Sequence, residues 1–305
     1  MTPSLSLLSR LWLSEPDAET LGAACEAGLA SGGDSSGLAA VWTDLFLLNV
    51  YPYASAFTEP SGELNGPAAS AALARYEAAG YGPAELAACG GPDHAGLCLG
   101  YLAHLDAAGR EDPEFLSWTL DWVPVCAIAV ERQPSPHPFF RSLAAATREA
   151  LLARRDEAAR SPLPVPVRAD EDEEELDLSA VVRRLLAPAT SGFFLSRSRL
   201  GAIAMDAGMR LPFSSRYDVA RALFEAAGES GRVERVLDGL RREAALWDAD
   251  YSRLAAAHPA WTGRAAAWRQ RLAGTLRLLS EMARVLDSPL DLEYGNRERI
   301  GPGGP

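Results

Sequence analysis

Apolar residues along this chain recur three and four positions apart, in long segments broken by Pro, Gly and acidic runs, and no Val/Ile/Thr-rich series of alternating segments interrupts them. That period belongs to the α-helix, so the chain is expected to bury helical stripes against one another in an all-α fold. The spacing predicts helices over about 17–30, 38–48, 67–79, 93–108, 113–131 and 138–159, and again over 178–186, 197–207, 215–228, 231–257 and 261–287. The first is announced by Ser14-Glu15-Pro16-Asp17, an N-cap signal with Pro in the opening turn, and places Leu21, Cys25 and Leu29 one turn apart. Pro124 is expected to kink or break the helix that carries it.

Several classes of protein are excluded early. Crossing a bilayer takes roughly 18–20 consecutive apolar residues, and the best uninterrupted run here, Val125–Val130, is far shorter. No stable membrane insertion is therefore expected. The start, Met1–Leu13, is apolar but lacks a basic leading region, contains Arg10 and ends without a small-residue cleavage signal, which points to a cytoplasmic protein. Cys25, Cys89, Cys98 and Cys126 share no C-x-x-C spacing, so neither a metal site nor a disulfide framework is expected, and no cofactor.

Every basic residue is Arg, for the sequence contains no Lys. A G-x-x-x-x-G-K-[ST] phosphate loop is thus impossible, and G-x-S-x-G and H-E-x-x-H are missing too. Catalysis is not expected. Residues 1–178 hold 10 Arg against 27 acids, whereas residues 179–305 hold 19 Arg against 14 acids. An acidic first part argues against nucleic acid, which needs clustered cations, and suits a basic peptide or plain solvation of the surface.

The best boundary is Ser161-Pro-Leu-Pro-Val-Pro166, followed by seven acids within Asp170–Asp177. Three prolines oppose a helix, and like charges oppose packing. The division expected is a first domain over 1–160, a Pro-rich and acidic linker over 161–178, a C-terminal helical region over 179–290 and a flexible tail over 291–305.

Three local signals stand out. In Asn49-Val-Tyr-Pro-Tyr-Ala-Ser55, Pro52 ends a helix and leaves Tyr51 and Tyr53 on a connection, where rings either grip an apolar peptide or cap the core. In Gly90-Gly-Pro-Asp-His-Ala-Gly96, Asp93 is a natural N-cap and His94 takes the first helical position, a polar pair that serves either as a cap or as a ligand contact. Trp118 and Trp122, then His137-Pro-Phe-Phe-Arg141, read on spacing alone as core.

In their order and separations, Leu45-Phe46, Tyr51-Pro-Tyr-Ala-Ser55, Pro92-Asp93-His94, Trp122 with Pro124, and His137-Pro-Phe-Phe-Arg-Ser-Leu-Ala144 resemble the TorD, DmsD and NarJ group of redox-enzyme maturation chaperones. The resemblance covers 42–155, and Ser191-Gly-Phe-Phe-Leu-Ser196 is similar to a segment of longer members with a C-terminal extension. Departures fall at Val41-Trp42, where an acidic residue followed by Tyr is common, and at Cys98 and Gly100, where acids are usual.

What the resemblance implies is a TorD-like helical bundle and a cytoplasmic chaperone. Its partner would be the catalytic subunit of a molybdenum-containing oxidoreductase, held by its twin-arginine leader peptide or in its apo form while cofactor is inserted before export. Asp93 and His94, with Tyr53, Tyr51 and Trp122, are the peptide-binding residues so implied. Monomer and domain-swapped homodimer both stay open. Alternatives from other classes are a nucleotide-hydrolysing helical enzyme and a DNA-binding regulator using 197–206 and 214–227, though Asp218 and Glu225 dilute the positive face of the latter.

Overall fold

The computed structural model describes residues 3–30, 35–62, 64–154 and 177–287. Among them fourteen α-helices form: α1 Leu5–Leu13, α2 Ala18–Glu26, α3 Ser35–Trp42, α4 Ala54–Thr58, α5 Pro67–Ala79, α6 Ala95–Ala107, α7 Pro113–Glu131 and α8 Pro138–Leu152, then α9 Leu178–Leu186, α10 Pro188–Ser191, α11 Arg197–Asp206, α12 Arg216–Glu229, α13 Val233–Ala257 and α14 Thr262–Asp287. A π-helix, Thr43–Asn49, continues α3. No strand occurs among the described residues; the one extended pairing is an isolated antiparallel bridge between Tyr53 and His94. The all-α expectation holds. Also among the described residues, no helix is long and apolar enough to cross a membrane.

Local signals place most helix ends. Pro sits in the first turn of α5, α7 and α8, where a missing N–H costs nothing. Asp17 itself caps α2, its carboxylate accepting from the Thr20 N–H at 2.7 Å. From Leu5 onward the apolar start is helix α1. Its Leu8, Leu11 and Trp12 are fully buried, and it crosses α6 closely because Gly96 and Gly100 lie one turn apart. A Cβ on Gly96 would stand 2.9 Å from the Ser9 carbonyl oxygen, and one on Gly100 2.9 Å from Ser9 Oγ. Ser9 Oγ donates to the Gly96 carbonyl at 2.7 Å, which locks the crossing.

Of the two outcomes expected at Pro124, a break does not occur: α7 runs through it from Pro113 to Glu131, the span that the spacing predicts. Pro lacks the N–H that would bond the carbonyl four residues back, leaving Leu120 without its partner. That partner comes from the start of α14 and the turn before it. Trp261 Nε1 donates to the Leu120 carbonyl at 2.8 Å, and Trp268 Nε1 donates to the next carbonyl, Asp121, at 3.0 Å. Beside them Arg264 Nε meets Asp121 Oδ1 at 2.6 Å and Arg264 Nη2 donates to Ser117 Oγ at 2.7 Å, with both charged side chains under a tenth exposed.

Helices α9–α14 thus share one hydrophobic cluster with α1–α8. Phe57 of α4 stacks on Phe194 at 5.2 Å and lies 6.0 Å from Trp122 of α7. In Ser191-Gly-Phe-Phe-Leu-Ser196, Gly192 takes φ +81° after α10, and a Cβ there would stand 2.5 Å from the Leu272 nitrogen, so only Gly allows α14 to approach so closely. Tyr251 donates to the Gly192 carbonyl at 2.8 Å and Thr275 to that of Ser191 at 2.9 Å. Of the linker expected over 161–178, residues 161–176 lie outside the described residues, whereas Asp177 caps α9 and Leu178 opens it; the tail over 291–305 and the end of the helix predicted over 138–159 also lie outside them.

Candidate peptide-binding site

The aromatic turn and the Asp-His pair meet. The bridge between them consists of the Ala54 N–H donating to the Asp93 carbonyl at 3.0 Å and the Ala95 N–H donating to the Pro52 carbonyl at 2.7 Å. Capping at this point differs from the sequence expectation. His94, not Asp93, is the N-cap of α6: its backbone is extended and its Nδ1 accepts from the Gly96 N–H at 3.0 Å, which leaves the ring hydrogen on Nε2. Asp93 turns the other way and serves α4, Oδ2 accepting from the Ser55 N–H at 2.8 Å and Ser55 Oγ at 2.7 Å. Its other oxygen is buried with no hydrogen-bond partner.

Tyr53 completes the junction. Its ring stands edge-on to His94 at 5.0 Å, its hydroxyl donates to the Cys89 carbonyl, and burial pushes its pKa up to about 12. Tyr51, beyond Pro52, lies 5.5 Å beneath the Arg216 guanidinium of α12. Trp122 stands apart, fully buried between Phe57 and Trp118. Asp93, His94 and Tyr53 are therefore brought together, Tyr51 faces the C-terminal helices, and Asp93, His94 and Trp122 offer no surface to a peptide in this conformation.

Burial also pulls the His94 pKa down to about 3, so the ring is neutral near pH 7. A depressed folded-state pKa stabilises fully above the unfolded value of about 6.5, and that stability is lost as pH falls toward the folded value. The wild type should lose stability between about pH 6 and pH 3, at a slope from this group of at most about 1.4 kcal/mol per pH unit. In His94→Asn, which keeps a capping acceptor, urea melts across that range should show a shallower slope. An unchanged slope would remove His94 from the account.

The junction anchors one wall of a recess. From it the chain runs back through Val50, whose N–H donates to the Leu45 carbonyl at 2.7 Å across the five-residue π spacing, to Asn49. Asn49 is 1% exposed, and it is a positioning residue that the sequence reading did not single out. Its Nδ2 donates to the Asp44 carbonyl at 2.9 Å, and its Oδ1 accepts the Ser198 N–H of α11 at 2.9 Å. One side chain thereby ties the π-helix to the opening turn of α11.

Between these two elements lies a recess of about 640 Å³. Val41 and Leu45 form one wall, Val130, Phe140 and the turn Gln133–His137 the floor, and Arg197, Gly201, Met205 and the segment Arg210–Phe213 the other wall. Met205 and Phe213 are 67% and 78% exposed, unusual for large apolar side chains. The Arg197 guanidinium covers the Phe213 ring at 3.9 Å and lies 3.7 Å from Asp44. A Cβ on Gly201 meets nothing within 4 Å, so that position opens directly on the recess. Among the described residues no group of three or more His, Cys, Asp or Glu is arranged to hold a metal ion.

These features define a class: an all-α protein with a largely apolar interhelical recess of the size and lining that receive an organic ligand or a segment of another chain. Residues 14–122 match the model of the family described as nitrate reductase delta subunit, a family of molybdoenzyme maturation chaperones, and the match supports that chaperone family broadly. The matched stretch contains the π-helix, the aromatic turn and the Asp93–His94 pair, and it ends before the floor of the recess and all of α11. No curated protein matches the chain, and no solved structure does.

Proposed function

We propose that this protein is a cytoplasmic chaperone of a TorD-like kind, without catalysis of its own, that holds the catalytic subunit of a molybdenum-containing oxidoreductase through its leader peptide or in its apo form during cofactor insertion, before twin-arginine export. The observation that carries this reading is the family match over residues 14–122, which takes in one wall of the recess and the junction that anchors it. In this reading the client segment lies in the recess against Val41, Met205, Leu211 and Phe213, while Asp93, His94 and Tyr53 hold the π-helical wall in place and Tyr51 fastens it to α12.

A chaperone must release what it holds. A shallow apolar contact without a deep charged anchor suits modest affinity and a short residence time. The DNA-binding alternative loses support from the arginines of α11: Arg197 is engaged by Asp44 and Phe213, and Arg199 lies 3.3 Å from Glu243. The test is made in cells lacking this protein, by measuring the molybdenum content of the purified client subunit. Supported, the reading gives a subunit largely free of cofactor; a fully loaded, exported subunit would overturn it.

A further inference from the structure

A second hollow of about 720 Å³ lies beside the recess and shares Gln133 and Pro136 with it; Arg132, Arg141, Arg199 and Arg253 line it together with Glu131 and Asp250. Adding Arg197, Arg210 and Asp44 of the first hollow, the joint lining carries six Arg and three carboxylates, in a chain whose net charge is −12. The sign of this surface is opposite to that of the protein.

Not all of these cations are available. Glu243, beneath the second hollow, takes Arg132 at 3.0 Å and Arg199 at 3.3 Å. Asp250 lies 2.9 Å from Arg132 and 2.8 Å from Arg253, Glu131 holds Arg148 at 2.8 Å, and Asp44 lies 3.7 Å from Arg197. Arg141 and Arg210 remain. Both are exposed, and neither makes an ion pair or a side-chain hydrogen bond among the described residues, although Arg141 is close enough to Glu131 to favour its charged form.

We propose that the recess and the hollow beside it receive an amphipathic helical segment bearing carboxylates, its apolar face against Val41, Met205 and Phe213 and its acids over Arg141 and Arg210. The inference rests on the reading of the recess as the client site. Helical docking follows from the π-helix and α11, which face each other across the recess as a groove between helices. Acidic character follows from the two free guanidinium groups, which would attract carboxylates and repel a basic pair. A leader's arginines would then lie outside the recess, on the acidic remainder of the surface.

The experiment uses two synthetic amphipathic peptides of one Leu/Ala sequence, carrying a pair of Glu or a pair of Arg at the same positions, titrated by fluorescence anisotropy against the full chain. The wild type should bind the Glu peptide, more weakly as salt rises. In Arg141→Glu plus Arg210→Glu, the Glu peptide should bind roughly five- to thirtyfold more weakly, as expected for two exposed charge pairs, and the Arg peptide should gain. Both positions are exposed, and neither makes an ion pair or a side-chain hydrogen bond among the described residues, so the fold should tolerate the change. Preference of the wild type for the Arg peptide, a charge swap without effect, or binding of neither peptide would overturn the proposal, as would a dimer in sedimentation that Gly201→Trp abolishes. Failure of the underlying reading is seen separately, when Gly201→Trp leaves capture of the client subunit unchanged.

Discussion

Asp121→Ala should destabilise the protein by about 3–5 kcal/mol, the usual cost of removing one member of a buried ion pair. Asp121 belongs to the stretch that matches the family model, whereas Arg264, which meets it at 2.6 Å, comes from α14 far outside that stretch. The bonds of Arg264 to Ser117 survive the change, which argues for the lower end of the range. Replacing both partners, as Asp121→Ala with Arg264→Leu, should recover much of the loss, because the buried guanidinium is then removed together with its carboxylate. Urea unfolding of the two variants measures the difference directly. Equal losses would mean that the pair is not what joins α14 to α7.

Trp261→Ala should cost about 3–5 kcal/mol, the usual range for deleting a fully buried large aromatic. Part of that cost is polar and can be separated. Trp261→Phe keeps most of the ring's volume but strands the Leu120 carbonyl, which should cost about 1–3 kcal/mol. With Pro124→Ala in place, residue 124 regains an N–H that can serve Leu120 within the helix, so the same Trp261→Phe change should cost at least about 1 kcal/mol less. Additive losses in this cycle would show that Trp261 contributes packing alone.

The same proline shows where a reading of the sequence stops. Local signals were sufficient for α5 and α7, whose observed limits coincide with the predicted ones, since Pro in the first turn and the apolar period are properties of neighbouring residues. The fate of Pro124 depended on a tryptophan whose indole reaches a carbonyl 141 residues earlier, and nothing nearby announces that contact. Asp93 and His94 are both acceptable N-caps, and the choice between them was made by Ser55 on another helix. Helix α1 is not among the helices that the spacing predicts, although Ser4 offers a cap that accepts the Leu7 N–H.

The candidate site divided along the same line. Tyr53, Asp93 and His94 were legible as a constellation because each sits at an element boundary, and the structure brings them together. The recess was not legible, since its walls come from residues near 41–45, 130–140 and 197–219, which only the folded chain assembles. Met205 and Phe213, whose exposure marks one wall, flank Gly208 and Pro212, and in the sequence nothing distinguishes them from core residues.

The central claim is that this recess holds a segment of a molybdoenzyme subunit, and Gly201→Trp tests it most directly. The new side chain projects into the recess from a helical position with open space around its Cβ, so the melting temperature should stay close to that of the wild type. Affinity capture from the native cell, quantified for the molybdoenzyme catalytic subunit, should recover that subunit with the wild type and lose most of it with the variant. Equal recovery of the subunit by both proteins, or its absence from the wild-type capture, would contradict the account.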